Sequence, residues 1–329
     1  MKFDIVGAGA LGLLFGGGLA ASGENVVFWT RSEEQARILT AEGIELGDEA
    51  GNYRVIQPDN FEAYCVDSII DRSVRQPDWL IITTKQWHVD DHLFEAVQHL
   101  CGQETKVVCF QNGTGHVEAF QAIVKDIPVY AAVTTEGSRR KDARSVVRSK
   151  PGTTMIGIPA RHSPHGVELL TEGKYREGFA DQTAEYLTKK LILAGFPALM
   201  SKDIDRDIYR KLLINSVINP LTAIWRVPNG DLLVVSERRK ILRQLCDEAV
   251  EIYRANQIAC DNNMFEQIVT VCQSTSRNIS SMLKDVLQGS PTEIDSINGR
   301  LIEMAHRSGL TAPGHELITS LIKGLQPRE

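Results

Sequence analysis

The chain has no cysteine framework. Its 329 residues include six cysteines, at positions 65, 101, 109, 246, 260 and 272, with no Cys-x-x-Cys pair and no zinc-type spacing. No metal site is expected from that pattern, and the thiols read as reduced, in a cytoplasmic setting. A positive balance is missing too: 36 Lys and Arg face 42 Asp and Glu, a net charge of -6. No global basic field invites nucleic acid or an anionic membrane. Arg139-Arg140-Lys141 and Arg238-Arg239-Lys240 are short clusters and read as solvated surface. Internal repeats and low-complexity tracts are absent. What is present is ordinary for a globular chain, with 43% hydrophobic and 24% charged residues. The length suggests two domains of roughly 100–200 residues each.

The start resembles a signal peptide or a membrane span: Met1-Lys2, then an uncharged run from Ile5 to Gly23. Asp4 interrupts that run near its beginning, and seven glycines lie between Gly7 and Gly23. A buried strand, a glycine turn and a helix packed on a sheet fit it better. Lys2–Val6 reads as the strand, and Gly7-Ala8-Gly9-Ala10-Leu11-Gly12 opens a helix to about Ser22. Val26–Trp29 is the next strand. Strand, Gly-x-Gly-x-x-Gly, helix, strand is the dinucleotide fingerprint in its required context. Gly7 makes the turn, Gly9 admits a pyrophosphate to the backbone, and Gly12 permits close helix packing. The helix N-terminus offers N–H donors to the anion. The second strand ends Trp29-Thr30-Arg31-Ser32, with no acid until Glu33. An acid there would suit the ribose hydroxyl of NAD, whereas Arg31 suits the 2′-phosphate of NADP(H). A surface arginine at a strand end is the bland alternative.

A hairpin is expected from Ile44–Leu46 and Tyr53–Ile56 around 48–52. Asp78–Thr84 is a buried strand leading to Lys85, then a helix from about Asp90 to Cys101. His88, His92 and His99 would share that helix and read as surface. Lys106–Phe110 is a strand, followed by Gln111-Asn112-Gly113-Thr114-Gly115 and a helix to about Lys125. Ligands of open parallel sheets bind beyond the carboxyl ends of strands. Gly7, Arg31, Lys85 and Asn112 all stand at such ends. Strands are expected over 128–135 and 146–158, with a turn at Pro151-Gly152. Residues 161–178 read as a loop, 181–194 as a helix, and 198–201 as an edge strand.

After Ser201 the strand signals vanish. Helices are expected at 205–225, 236–256, 264–272, 290–308 and 314–325, which places a domain boundary near 200. The expected organisation is α/β: a Rossmann dinucleotide-binding domain over 1–200 and an all-α domain over 201–329. On the first of these helices Lys211, Asn215 and Asn219 recur every four residues and share one face. Asp203, Asp205 and Asp207 suit its N-terminus. A water-facing stripe is one reading. Asparagine is only a middling helix former, and apolar residues flank the stripe on both sides. A buried Lys-Asn-Asn row needs polar partners, and a substrate is one such partner.

Lys211-Leu-Leu-Ile-Asn215-Ser-Val-Ile-Asn219-Pro, with Pro228-Asn229-Gly230 behind it, resembles the ketopantoate reductase family. So do Asn278-Ile-Ser-Ser281-Met and Thr292-Glu293-Ile-Asp295-Ser-Ile-Asn298-Gly299. The Gly7–Gly12 turn, Lys85 and Asn112-Gly113-Thr114-Gly115 match in order, so the resemblance covers nearly the whole chain. Extra residues around 47–70 and 161–178 depart from the pattern without overlapping a motif. The resemblance implies NADPH-dependent reduction of 2-dehydropantoate to (R)-pantoate, on the route to pantothenate and coenzyme A. It implies Lys211 as the proton donor and Glu293 as its companion or as an acceptor for a substrate hydroxyl. Asn215, Asn219, Asn229, Asn278 and Ser281 would bind substrate. Gly7, Ala8, Gly9, Ala10, Leu11, Gly12, Arg31, Lys85 and Asn112 would bind cofactor. The partner is a small 2-oxo acid, with a homodimer as the candidate assembly. Residue by residue, Glu293 and Asp295 also read as helix N-terminal acids, Ser281 as a surface serine, and Asn229 as a turn residue. A reductase of another 2-oxo or 3-hydroxy acid, or a non-catalytic NADP(H) sensor, are the competing functions.

Overall fold

The computed structural model describes the backbone of residues 1–69, 76–160 and 177–325, and the side chains of the same residues except 177–182. Its contacts divide into two compact units. One is Met1–Gln111 with Gly115–Asp205; the other is Asn112–Thr114 with Arg206–Glu329.

The first unit begins with β1 (Lys2–Val6), α1 (Ala10–Ala21), β2 (Asn25–Thr30) and α2 (Glu33–Glu42). Then come β3 (Ile44–Asp48), β4 (Tyr53–Ile56), β5 (Phe61–Cys65), β6 (Trp79–Ile82), α3 (Asp91–Leu100), β7 (Lys106–Cys109) and α4 (His116–Val124). It closes with β8 (Val129–Thr134), β9 (Gly137–Arg140), β10 (Ser145–Lys150), β11 (Thr154–Gly157), α5 (Glu177–Leu193) and β12 (Ala198–Met200). The main sheet runs β12-β11-β8-β7-β6-β1-β2-β5. From β5 to β8 its neighbours are parallel. The strand succession reverses at β1, the switch point of a Rossmann fold. β11 is antiparallel to β8, and β12 pairs with β11 at the edge.

The apolar run near the start is a strand and a buried helix. Leu13, Leu14, Phe15 and Leu19 of α1 are buried, and the Phe15 ring lies 4.8 Å from Phe110 and 4.6 Å from Phe196. Asp4, the charge that breaks the run, is also buried, and Trp29 Nε1 donates to its Oδ2 at 2.8 Å. A buried carboxylate requires such a donor. Among the described residues no helix is long and apolar enough to cross a membrane.

A second sheet, β4-β3-β10-β9, contains the expected hairpin. Its edge strand β9 is not expected from the sequence, because Gly-Ser-Arg-Arg has no apolar alternation. Arg139 and Arg140 are exposed on it, where charge discourages pairing with another chain. Residues 47–69 form parts of β3, β4 and β5 with two short 3₁₀ turns. The expected loop at 161–178 lies outside the described residues up to 176, and α5 starts at Glu177 rather than Asp181. His88 is not on α3: Asp90 caps that helix by accepting from Leu93 N at 2.9 Å, and His88 ends a 3₁₀ turn before it.

The second unit is helical: α6 (Ile204–Trp225), α7 (Ser236–Ala255), α8 (Met264–Ser274), α9 (Ser281–Leu287), α10 (Arg300–Arg307) and α11 (Pro313–Leu325). Its core includes Leu212, Leu213, Val217, Leu245, Ile252, Ile268, Leu301 and Ile322. The expected helix over 290–308 starts later, at Ile294, since Pro291 interrupts the chain before it. Residues Asp295–Gly299 then form a π turn that runs into α10. The short α9 was not among the expected helices. Arg238 is half-buried, with its guanidinium 5.4 Å from the Trp225 ring, so it is more than solvated surface.

Pro220 lies inside α6. It has no N–H, so the carbonyl of Ser216, four residues earlier, loses its helical donor. Asn298 Nδ2 donates to that oxygen at 2.9 Å and lies 3.0 Å from His315 Nδ1. His315 Nε2 is 3.1 Å from Leu245 O. A carbonyl only accepts, so the ring carries its proton on Nε2 and accepts at Nδ1. Burial depresses the His315 pKa, in keeping with a neutral ring.

Candidate active site

The first unit carries the glycine turn expected to cradle a nucleotide. The chain leaves β1 through Gly7 at φ +101, a left-handed conformation that favours glycine. A Cβ on Gly12 would lie 1.9 Å from the Gly7 carbonyl oxygen, so α1 approaches the turn only with glycine there. Thr83 Oγ1 donates to that same oxygen at 2.6 Å and fixes the turn. Gly9 begins α1 without a side-chain cap, and no acid occupies the first turn. A Cβ added at Gly9 meets no protein atom within 4 Å. Ala8 is buried, and Ala10 and Leu11 are half-buried in the opening turn. An uncapped helix N-terminus with open space before it fits a pyrophosphate.

At the end of β2, Arg31 is exposed and its Nη1 lies 3.2 Å from His88 Nε2. Thr30 is unsuited to phosphate binding: it is buried, and its hydroxyl is within 2.8 Å of Ser32 O and 3.2 Å of Tyr64 O. Ser32 Oγ caps α2, accepting from Gln35 N at 3.3 Å. Lys85 follows β6, half-buried, and begins the 3₁₀ turn Gln86–His88.

The second unit gathers the other candidates. Lys211, Asn215 and Asn219 share one face of the continuous α6; Lys211 and Asn215 are half-buried and Asn219 is buried. Burial pulls the Lys211 ammonium down to about 8, although the Glu293 carboxylate acts to raise it. Desolvation therefore outweighs the attraction of one carboxylate. Glu293 is buried just before the π turn and accepts from Asn112 Nδ2 at 3.1 Å. Asp295 instead faces solvent and pairs with Lys323 at 2.7 Å.

Asn278 and Ser281 are exposed. Ser280, not Ser281, caps α9: its Oγ accepts from Leu283 N at 3.0 Å and from Thr222 Oγ1 at 2.7 Å. Asn229 is buried, with its Nδ2 donating to Thr275 Oγ1 at 2.9 Å and its backbone N to Asn278 O at 3.0 Å. It thus ties down the loop that carries Asn278. Its Oδ1 is buried without a hydrogen-bond partner.

Comparison with known proteins bears on this arrangement. The family model "Ketopantoate reductase PanE/ApbA" matches residues 3–161, and "Ketopantoate reductase PanE/ApbA C terminal" matches residues 203–326. A 2-dehydropantoate 2-reductase of Pyrococcus horikoshii is 30% identical over 325 residues, covering 98% of this chain and 97% of that protein. The chain belongs to the ketopantoate reductase family.

Among solved structures, a probable 2-dehydropantoate 2-reductase of Bacillus subtilis aligns with TM-score 0.76 and 27% identity, covering 99% of this chain and 100% of that one. D-mandelate dehydrogenase with NADH and anilino(oxo)acetate aligns with TM-score 0.81 at 24% identity, covering 99% and 98% of the two chains. That second likeness is one of fold. Membership of the ketopantoate reductase family makes this chain an oxidoreductase. Two residues that carry the geometry were not singled out as candidates from the sequence. Asn298 was only one letter of a motif, although Pro220 four residues after Ser216 signals a carbonyl in need of a donor. His88 was read as surface because the helix behind it was extended too far forward.

Proposed function

We propose that the chain reduces 2-dehydropantoate to (R)-pantoate with NADPH, as a step in pantothenate and coenzyme A biosynthesis. The cofactor is NADP(H). The Gly7–Gly12 turn with Ala8, Ala10 and Leu11 would hold its pyrophosphate, and Arg31 its 2′-phosphate. Lys85 and Asn112 would complete the nucleotide contacts. When bound, the cofactor supplies the hydride for the ketone carbon. Lys211 then gives a proton from Nζ to the ketone oxygen, and as an ammonium it stabilises charge building there. Asn215 and Asn219 hydrogen-bond substrate oxygens from the same helix face. Asn278 and Ser281 hold the carboxylate or hydroxyl end, with Asn229 fixing their loop. Glu293 keeps Lys211 partly charged against desolvation and holds Asn112.

One observation carries this reading. A lysine on the asparagine face of α6 is pulled to about 8, which suits an acid working near neutral pH. Among the described residues that ammonium makes no hydrogen bond or ion pair, which leaves its protons for a ligand. The test is loss of NADPH absorbance with purified protein and ketopantoate, beside a panel of 2-oxo acids. Turnover of ketopantoate at the highest kcat/KM is expected. No ketopantoate turnover with fast turnover of another acid rejects the substrate. That outcome is the second reading, and the D-mandelate dehydrogenase of the same fold favours it. Apolar pocket shape separates such acids by only ~1–3 kcal/mol per methylene.

A further inference from the structure

We propose that His88 makes a proton-linked receptor for a phosphate monoester dianion, the 2′-phosphate that distinguishes NADPH from NADH. The inference rests on the reading of Arg31 as the phosphate ligand and adds a titrating partner to it.

The pair spans the two strands that flank β1. Arg31 follows β2, His88 follows β6, and both strands pair with β1. Arg31 Nη1 and His88 Nε2 are 3.2 Å apart. A guanidinium only donates, so Nε2 must accept, and the ring is neutral with its proton on Nδ1. The imidazole is half-buried, and its centroid lies 3.5 Å from the Trp87 ring. The charged groups that face it are Arg31 from the end of β2, and Lys85 and Asp90 from its own segment. Burial, then Arg31, holds the imidazole below the ordinary histidine range; Lys85 adds to this and Asp90 opposes it. In the free protein the ring is thus a base, uncharged near neutral pH, that orients the guanidinium.

A dianion arriving at Arg31 reverses that balance. Its field favours the imidazolium, so Nε2 takes a proton from solvent, releases its hold on Arg31 and becomes a donor to the phosphate. The guanidinium is then free to meet the phosphate with two N–H groups. One proton is taken up, no covalent bond changes, and the bound phosphate gains a second cation beside Arg31. NADH brings no such dianion and triggers no uptake. The sign follows: proton uptake on binding makes NADPH affinity fall as pH rises between the free and bound pKa values of His88.

The test is titration calorimetry of the intact protein with NADPH and with NADH, in buffers of different ionisation enthalpy. Wild type is compared with His88→Gln, whose amide still accepts from Arg31 and donates to phosphate but cannot titrate. The 2′-phosphate itself titrates near ~6 in both proteins, so the difference between them is read. Wild type is expected to take up more protons with NADPH than His88→Gln, by at most one, and to match it with NADH. Over roughly pH 6 to 8 the ratio of the variant's Kd to wild type's should fall, by at most about tenfold per unit. Equal proton uptake in the two proteins overturns the proposal. Arg31→Ala is the control for the reading beneath it: a loss confined to NADPH supports the phosphate site, whereas equal weakening of NADPH and NADH removes it.

Discussion

Lys211 holds the widest consequences of any single residue. Its ammonium is drawn to about 8 by burial. Ketone reduction consumes a proton, so kcat/KM for reduction is expected to fall as pH rises through about 8. Lys211→Met should lower the reduction rate about 10²–10⁴-fold, remove that limb and leave NADPH binding intact. A limb that survives in the variant would assign it to another group. Because the Glu293 carboxylate raises Lys211, Glu293→Gln should move the limb to lower pH. An unmoved limb would uncouple the two. The same depression acts on folding. A lysine with a lowered folded pKa opposes folding below about 8, and the opposition fades as pH climbs toward the unfolded value near ~10.4. Lys211→Met should therefore show a higher urea midpoint than wild type at neutral pH, an exchange of activity for stability.

At the scale of elements, α6 depends on a helper. Asn298 replaces the donor that Pro220 lacks, and it also holds the neutral His315. Asn298→Ala leaves buried groups unpaired, a cost of about 1–3 kcal/mol in urea unfolding. Pro220→Ala restores an N–H within reach of the Ser216 carbonyl. The double variant should therefore lose less than the sum of the single changes, a coupling a double-mutant cycle measures. Strict additivity would mean that the Asn298 amide does not serve that carbonyl. These cases also show which elements the sequence reveals. The Lys211-Asn215-Asn219 face was legible, because a four-residue spacing means one thing on a helix. The glycine turn was legible, because Gly7 and Gly12 are sterically required. The break before Ile294 was not, since apolar spacing continues across Pro291 and hides the π turn. The strand β9 was not, since an edge strand of Gly-Ser-Arg-Arg has no buried face to pattern. Nor does spacing encode the orientation of Thr30, which stands beside Arg31 but turns its hydroxyl to the backbone oxygens of Ser32 and Tyr64.

The whole molecule is two cores on one chain. Phe3, Phe15, Phe28 and Trp79 belong to the first, and Leu213, Leu245, Ile268 and Leu301 to the second. A ligand stabilises what binds it, by about 2.7 kcal/mol at a hundredfold excess over Kd. NADPH is expected to slow amide exchange in β1, α1 and β2 by up to about a hundredfold and in α7 by far less. Uniform slowing would mean that the cores open only together. The division between them is not a single cut in sequence. The chain passes from the first unit to the second at 111/112, returns at 114/115 and leaves again at 205/206. Asn112, made early, finds Glu293 only when the far end of the chain has been made. A ribosome can thus finish the Gly7–Gly12 turn and its strands long before that loop can settle. A gene split at 205 would yield one fragment with three residues lacking their neighbours and another with Glu293 lacking Asn112. Exchange of the helical half between relatives therefore has to carry residues 112–114 with it, as a graft of two pieces.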